Sequence, residues 1–209
     1  MDEYVSQDAG VVALLSDLAD IVIANFFWVI TSIPIFTLGA STAALYSVLR
    51  TPGETQYAGS IVVRYFTAFA KNFKKTTLIF LLLLLPAAFV ANNVCLLVFG
   101  LLEDRIVGYV LCCLSIVLFF CLWVYVFPLS ATFENSIFKT ISNALMLSIA
   151  HFPTTLAMLI LCLIPVLVLV FFTNFFYRTV ILWLFFIFAL IAKANAFLLE
   201  RVFRRYMPQ

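Results

Sequence analysis

Charge is scarce in this sequence. Only 11% of its 209 residues are Asp, Glu, Lys or Arg, whereas 66% are hydrophobic. Soluble domains carry roughly 25% charged and about 45–50% apolar residues, and a chain this short exposes too much of itself to hide such an apolar excess from water. A soluble enzyme, a disordered chain and a nucleic-acid-binding domain are all disfavoured. The net charge of +2 is too small and too dispersed for a polyanion footprint. Histidine is nearly missing: His151 stands alone, which excludes H-E-x-x-H and a His-rich metal site. The six glycines form neither G-x-G-x-x-G nor a P-loop, so no nucleotide is bound directly through a known signature. No nucleophile stands beside a base and an orienting group. We therefore expect no enzyme, no cofactor and no nucleic-acid partner. The five cysteines (Cys95, Cys112, Cys113, Cys121, Cys162) sit in apolar runs without a C-x-x-C pair, which predicts a packing role. The start, Met1-Asp2-Glu3-Tyr4, is acidic and has no basic region ahead of the first apolar stretch, so no cleaved signal peptide is expected.

What the chain does contain is long uncharged runs. A membrane helix needs about 20 apolar residues to cross roughly 30 Å of hydrocarbon. The runs predict five spans, at about 12–34, 76–99, 106–128, 154–172 and 179–199, in one membrane domain covering 1–209. The runs are continuous rather than alternating, which excludes a lipid-facing barrel. The expected fold is all-α: a polytopic membrane bundle of about five transmembrane helices plus two cytoplasmic interfacial amphipathic helices, with the lipid bilayer as its solvent. The stretch 37–50 is too short to cross back.

Basic residues set the expected orientation. Arg50, Arg64, Lys71, Lys74, Lys75, Lys139, Arg201, Arg204 and Arg205 fall in segments on one side; Arg105 and Arg178 fall on the other. The richer side reads as cytoplasmic, which predicts an outside N-terminus and an inside C-terminus across five spans of a bacterial cytoplasmic membrane. A short echo, Trp28-Val29-x4-Pro34 against Trp123-Val124-x3-Pro128, with Thr76-Thr77 and Thr154-Thr155 each opening a later span, suggests two parallel units of span, helix and span.

Residues 61–75 form an amphipathic pattern: Ile61, Val62, Tyr65, Phe66, Phe69 and Phe73 recur near 3.6 spacing. Arg64, Lys71, Lys74 and Lys75 fill the remainder and offer a lipid-headgroup surface or a docking surface for a partner. Residues 133–152, with Ile137, Phe138, Ile141, Leu145 and Ile149, form the second such stretch. Gly39, Ala43 and Ser47, like Ala40 and Ala44, are spaced by four, which permits close helix packing. Polar residues at membrane depth are expensive and therefore singled out: Asp17, Asp20, Asn25 and Lys193 are the candidate intramembrane site. If the first helix begins near residue 16, the aspartates sit in its first turn and favour its dipole. If it begins earlier they need a cation, and Arg178 is nearest by expected depth. Lys193 either snorkels to the interface or pairs within the bundle. Asn92 and Asn93 either line a vestibule or bond to neighbouring helices.

The segment Asn25-Phe26-Phe27-Trp28, followed by Pro34-Ile35-Phe36-Thr37-Leu38-Gly39-Ala40-Ser41-Thr42-Ala43-Ala44-Leu45-Tyr46, and the later block Phe66-Thr67-Ala68-Phe69-Ala70-Lys71-Asn72-Phe73-Lys74-Lys75-Thr76, resemble the two signatures of the YesL-like family. These are small bacterial integral membrane proteins long grouped as a domain of unknown function. The specific motifs lie in the first 76 residues; beyond them the match is in hydropathy. Members occur mostly in Gram-positive bacteria, often encoded beside carbohydrate ABC importers and polysaccharide-degrading enzymes. The resemblance thus implies a non-enzymatic accessory subunit of an oligosaccharide ABC importer, with permease subunits as partners, and offers no catalytic residue. The sequence lacks the E-A-A-x3-G pattern of importer permeases, so it does not resemble a permease itself. A stand-alone solute carrier or channel, resting on Asp17, Asp20, Lys193 and the repeat, is the alternative expectation; a membrane-bound regulator of a sensor kinase is a further one.

Overall fold

The computed structural model describes residues 2–50, 59–100 and 105–204. Met1 and Arg205 lie outside the described residues, as do the side chains of residues 2–14 and of Arg105. Eight helices and no strand occur among the described residues: α1 (Asp2–Ser32), α2 (Leu38–Leu49), α3 (Ile61–Val98), α4 (Arg105–Thr132), α5 (Ile137–Ala150), α6 (Phe152–Phe171), the short α7 (Thr173–Arg178) and α8 (Val180–Phe203), which contains a π-helical turn at Trp183–Ile187. Five of them hold stretches long and apolar enough to cross a membrane: Leu15–Ser32 of α1, Ile61–Val98, Ile106–Thr132 of α4, Phe152–Phe171 and Val180–Phe203.

Helix α1 stops where Pro34 approaches. The residue before a proline is pushed out of the helical region, and a single 3-10 turn, Ile35–Thr37, leads directly into α2. Elsewhere expected boundaries disappear. The amphipathic stretch 61–75 is not a separate helix but the first part of α3, 38 residues in all, or about 57 Å at 1.5 Å per residue. Its polar residues do not interrupt it, because they bond back to their own turn: Asn72 Nδ2 donates to the Ala68 carbonyl (3.0 Å) and Thr76 Oγ1 to the Asn72 carbonyl (2.8 Å). Helix α4 likewise runs through Pro128 to Thr132, whereas Pro34 does break the chain, so the two halves of the suggested repeat part company there. They differ again in that α2 is buried and α5 keeps Phe138, Met146 and Ile149 exposed.

Helix α2 sits at the centre. Ten of its 12 residues are buried, as expected for a helix apolar all round. It packs antiparallel to α1: Trp28 Nε1 donates to Thr42 Oγ1 (3.2 Å), and Asp20 shares a cavity with Leu49 and Arg50. It is also antiparallel to the first part of α3, since Arg64 lines that same cavity while Gly39 meets Thr76 and Phe80. The chain therefore enters on α1 and returns on α2 before α3 begins. The stretch expected to be too short to cross back still brings the chain back to the level of Asp20. Consequently Asp17 and Asp20 lie at the same end of the bundle as Arg50, Arg64 and the last turns of α8, and not at the end opposite those basic residues.

The close fit is tightest at Gly39. A Cβ built there meets the Thr76 carbonyl oxygen at 2.6 Å, the Phe127 ring at 2.8 Å and Phe80 at 3.1 Å. Ala40, Ala43 and Ala44 are fully buried and Ser47 nearly so, so the four-residue spacing of small side chains serves packing inside this chain. Replacing Gly39 by Val should lower stability by about 1–3 kcal/mol through overpacking, read as an earlier thermal midpoint in detergent; Ala88→Val, at an exposed position of α3, should leave the midpoint unchanged.

Candidate functional site

Asn25 lies near the middle of the apolar stretch Leu15–Ser32 of α1 and is fully buried. Its Nδ2 donates to the carbonyls of Trp183 (3.2 Å) and Leu184 (2.6 Å), and its Oδ1 accepts from the Ala189 N–H (2.6 Å). These three backbone groups belong to the π-helical turn of α8 and its exit. In a regular ladder the Ala189 N–H would bond four residues back; a π turn disturbs that pattern. A buried polar side chain and a locally irregular helix thus satisfy one another, at a depth where water is not available to do so. The neighbouring residues of the motif pack around the same contact. Phe26 stacks on Phe185 (5.8 Å, 3°), Phe27 meets Phe66 edge-on (5.0 Å), and Trp28 lies 5.0 Å from Phe188.

The aspartates of α1 face a different element. Because α1 begins at Asp2, Asp17 and Asp20 are well inside the helix and not in its first turn, so they need cations. Asp17 pairs with Lys193 (3.3 Å) and Asp20 with Arg64 (3.1 Å). Arg178, the cation nearest by expected depth, lies in α7, beyond the opposite end of α8. The pairs help line a cavity of about 480 Å³ between α1, α2, α3 and α8, completed by Ser16, Arg50 and Glu200 and by an apolar wall including Ile21, Leu49 and Phe197. Sequence reasoning gathered Asp17, Asp20 and Lys193 but not Arg50, Arg64 or Glu200. The available signal was a lone carboxylate, Glu200, in an otherwise basic tail.

The four cations expected on one edge are divided. Arg64 turns inward, its side chain only 17% exposed. Lys75 is half-buried and donates to the Phe133 carbonyl (3.3 Å). Lys71 pairs with Glu134 at 2.8 Å, and Lys74 is exposed. The Lys71 hydrogen bond, and then its charge, hold the Glu134 carboxyl below its ordinary range. That tie is therefore present above the usual carboxylate pKa and lost only as pH falls through the lowered one.

Other polar residues make internal bonds. Asn93 donates to the Phe89 carbonyl in its own helix (2.9 Å), while Asn92 is exposed. Asn195 of α8, which sequence reasoning missed, is fully buried between Tyr46 of α2 (3.5 Å) and Cys162 of α6 (3.3 Å). All five cysteines are free; Cys112 and Cys121 are buried, whereas Cys95 and Cys113 are exposed. His151 caps the junction of α5 and α6.

Residues 21–94 match the family described as "Protein of unknown function, DUF624". The match covers about a third of the chain, the part from mid-α1 to near the end of α3. The YesL-like resemblance is consistent with it. The DUF624 segment contains Asn25, all of α2 and most of α3, so it supplies one half of the asparagine clamp and the Arg50 and Arg64 side of the cavity. The π turn, Lys193 and Glu200 lie beyond it, as do Asp17 and Asp20. No curated protein and no solved structure matches the chain.

Replacing Asn25 by Leu leaves two carbonyls and one N–H of α8 without their partner. The expected loss is about 1–3 kcal/mol, read as an earlier thermal midpoint, together with faster hydrogen exchange at the Ala189 amide. An unchanged midpoint and unchanged exchange would show that the clamp contributes nothing.

Proposed function

We propose that this chain is a non-enzymatic integral membrane subunit that associates with a carbohydrate ABC importer and assists its assembly, stability or uptake. The observation that carries this reading is the outer face of α5. Phe138, Met146 and Ile149 are 81%, 66% and 74% exposed on a 14-residue helix that is too short to cross the bilayer. It lies at the end of the bundle where Lys71 and Glu134 pair beside the end of α4. Membrane-exposed apolar side chains on the long helices need no partner, since lipid covers them. An apolar face on a short helix at the charged end offers a surface for another polypeptide. The resemblance to a family encoded beside importers names the partner.

The same reading includes an orientation. The basic-rich end is the cytoplasmic one by the positive-inside rule. Because α1 and α2 form a hairpin that starts and finishes at that end, and α3, α4, α6 and α8 follow as four passes, both ends of the chain lie inside. On this reading the N-terminus lies inside, where the sequence led us to expect it outside.

Two measurements test the proposal. Tagged protein purified in mild detergent from cells expressing the neighbouring importer should retain the permease subunits, and Phe138→Glu with Ile149→Glu should release them while the chain stays folded; an importer never retained sinks the association. Separately, reporter domains fused to either end should both give cytoplasmic signals. An N-terminal reporter active on the outer face would overturn the orientation and leave the importer question standing.

A further inference from the structure

The charged cavity is built from four helices, and its chemistry is specific. Three acids (Asp17, Asp20, Glu200) and three bases (Arg50, Arg64, Lys193) line it, so it is balanced in charge. A purely anionic ligand would meet three carboxylates, and a purely cationic one three bases. The complement of such a lining is a ligand carrying both signs.

The pairs already formed leave bonding capacity inside the cavity. Asp17 and Asp20 are each engaged through one oxygen, Oδ2. Arg64 has five N–H donors in a planar fork. One nitrogen, Nη2, donates to Asp20, and Nε is buried without a hydrogen-bond partner. Arg64 lines the cavity with its side chain 17% exposed, so the remaining N–H groups of its fork are what it offers there, and that fork matches phosphate geometry. The Oδ1 atoms of Asp17 and of Asp20, the latter beside Arg64, are acceptors for an ammonium group. Arg64, Asp17 and Asp20 all line one space of about 480 Å³, within the usual range of roughly 300–1,000 Å³ for small-molecule sites.

Two further observations point to a lipid as the source. The cavity runs along α8 from Glu200 to Lys193, about 10 Å of helix, near the end of a membrane-crossing segment, which is headgroup depth. Its wall is half apolar, with Ile21, Val48, Leu49 and Ala196 inside and Phe197, 57% exposed, at the side facing away from the bundle. A soluble zwitterion has no use for that apolar flank; a glycerolipid does.

We propose that this cavity binds the phosphoethanolamine headgroup of a membrane lipid, with the phosphate on Arg64, the ammonium on Asp17 and Asp20, and the acyl chains leaving past Phe197. The headgroup then ties α1 to α3 and α8, the elements already joined by the two ion pairs. The site stands independently of any importer.

The test uses the full chain in detergent, with lipid binding followed by native mass spectrometry and by thermal midpoint. Phosphatidylethanolamine should bind at least about tenfold more tightly than phosphatidylglycerol, which has no ammonium, and than phosphatidylcholine, whose methylated ammonium has no N–H to donate. Two variants should abolish the preference: the neutralised pair Arg64→Gln with Asp20→Asn, and, should that chain fail to fold, Asp17→Asn at a half-exposed position. Free phosphoethanolamine raising the midpoint as much as the lipid would keep the headgroup chemistry and assign it to a soluble ligand. Equal binding of all three lipids, or a preference that survives in a folded variant, would overturn the site.

Discussion

Gly39 has room on its Cα for nothing but hydrogen, and the architecture follows from that contact. A helix whose backbone lies against the Thr76 carbonyl, the Phe127 ring and the Cβ of Phe80 has to be surrounded, and α2 is. With α1, α3, α4 and α8 gathered round it, 12 residues that cannot cross a bilayer become the centre of the bundle. In hydrocarbon there is no hydrophobic gain in pressing one apolar helix on another, so small residues and close backbone approach supply the attraction. The buried Ala40, Ala43 and Ala44 continue the seam that Gly39 begins.

Once α2 is fixed as a return strand of helix, the polar residues find their partners. The α1–α2 hairpin brings Asp17 and Asp20 to the end where Arg50, Arg64, Lys193 and Glu200 gather. It also sets α1 antiparallel to α8, so that Asn25 meets the π turn. Two kinds of polar contact thus share α1. The clamp at Asn25 is closed, with every donor and acceptor of the amide engaged by backbone. The cavity around Arg64 is open, with Asp17 and Asp20 each engaged through one oxygen and the Arg64 Nε left without a hydrogen-bond partner. Closed polar groups at membrane depth serve structure; open ones are where a ligand gains most.

Much of this was legible in the sequence, for a physical reason. Crossing hydrocarbon demands length and continuity of apolar residues, and both are local properties, so four of the five spans could be read within a few residues of their ends: 154–172 against Phe152–Phe171, for example. The amphipathic stretch 61–75 was visible too, but its fusion with the next span was not, because Lys71, Lys74 and Lys75 close it just before the uncharged run begins, while Asn72 and Thr76 bond back to the same helix and let it continue. The residues of the cavity were half legible. Asp17, Asp20 and Lys193 stood out as charges inside apolar runs, whereas Arg50, Arg64 and Glu200 looked like ordinary members of polar segments. Arg64 in particular was expected on an outer edge and turns inward, since helical spacing alone does not say which flank of a helix a neighbour will cover.

Composition and the spacing of charge by themselves determined that this is an all-α, multi-pass membrane chain, that its small residues near position 40 pack closely, and that Asp17, Asp20, Asn25 and Lys193 are out of place in their apolar surroundings. These conclusions hold for any arrangement of the helices, because they concern the cost of placing each residue in hydrocarbon. Only the tertiary structure decided which helix returns, which end Asp17 shares, and that Asn25 answers a π turn 158 residues away. Those are pairings between distant segments. A single sequence records the need for a partner, and packing around α2 decides which partner is within reach.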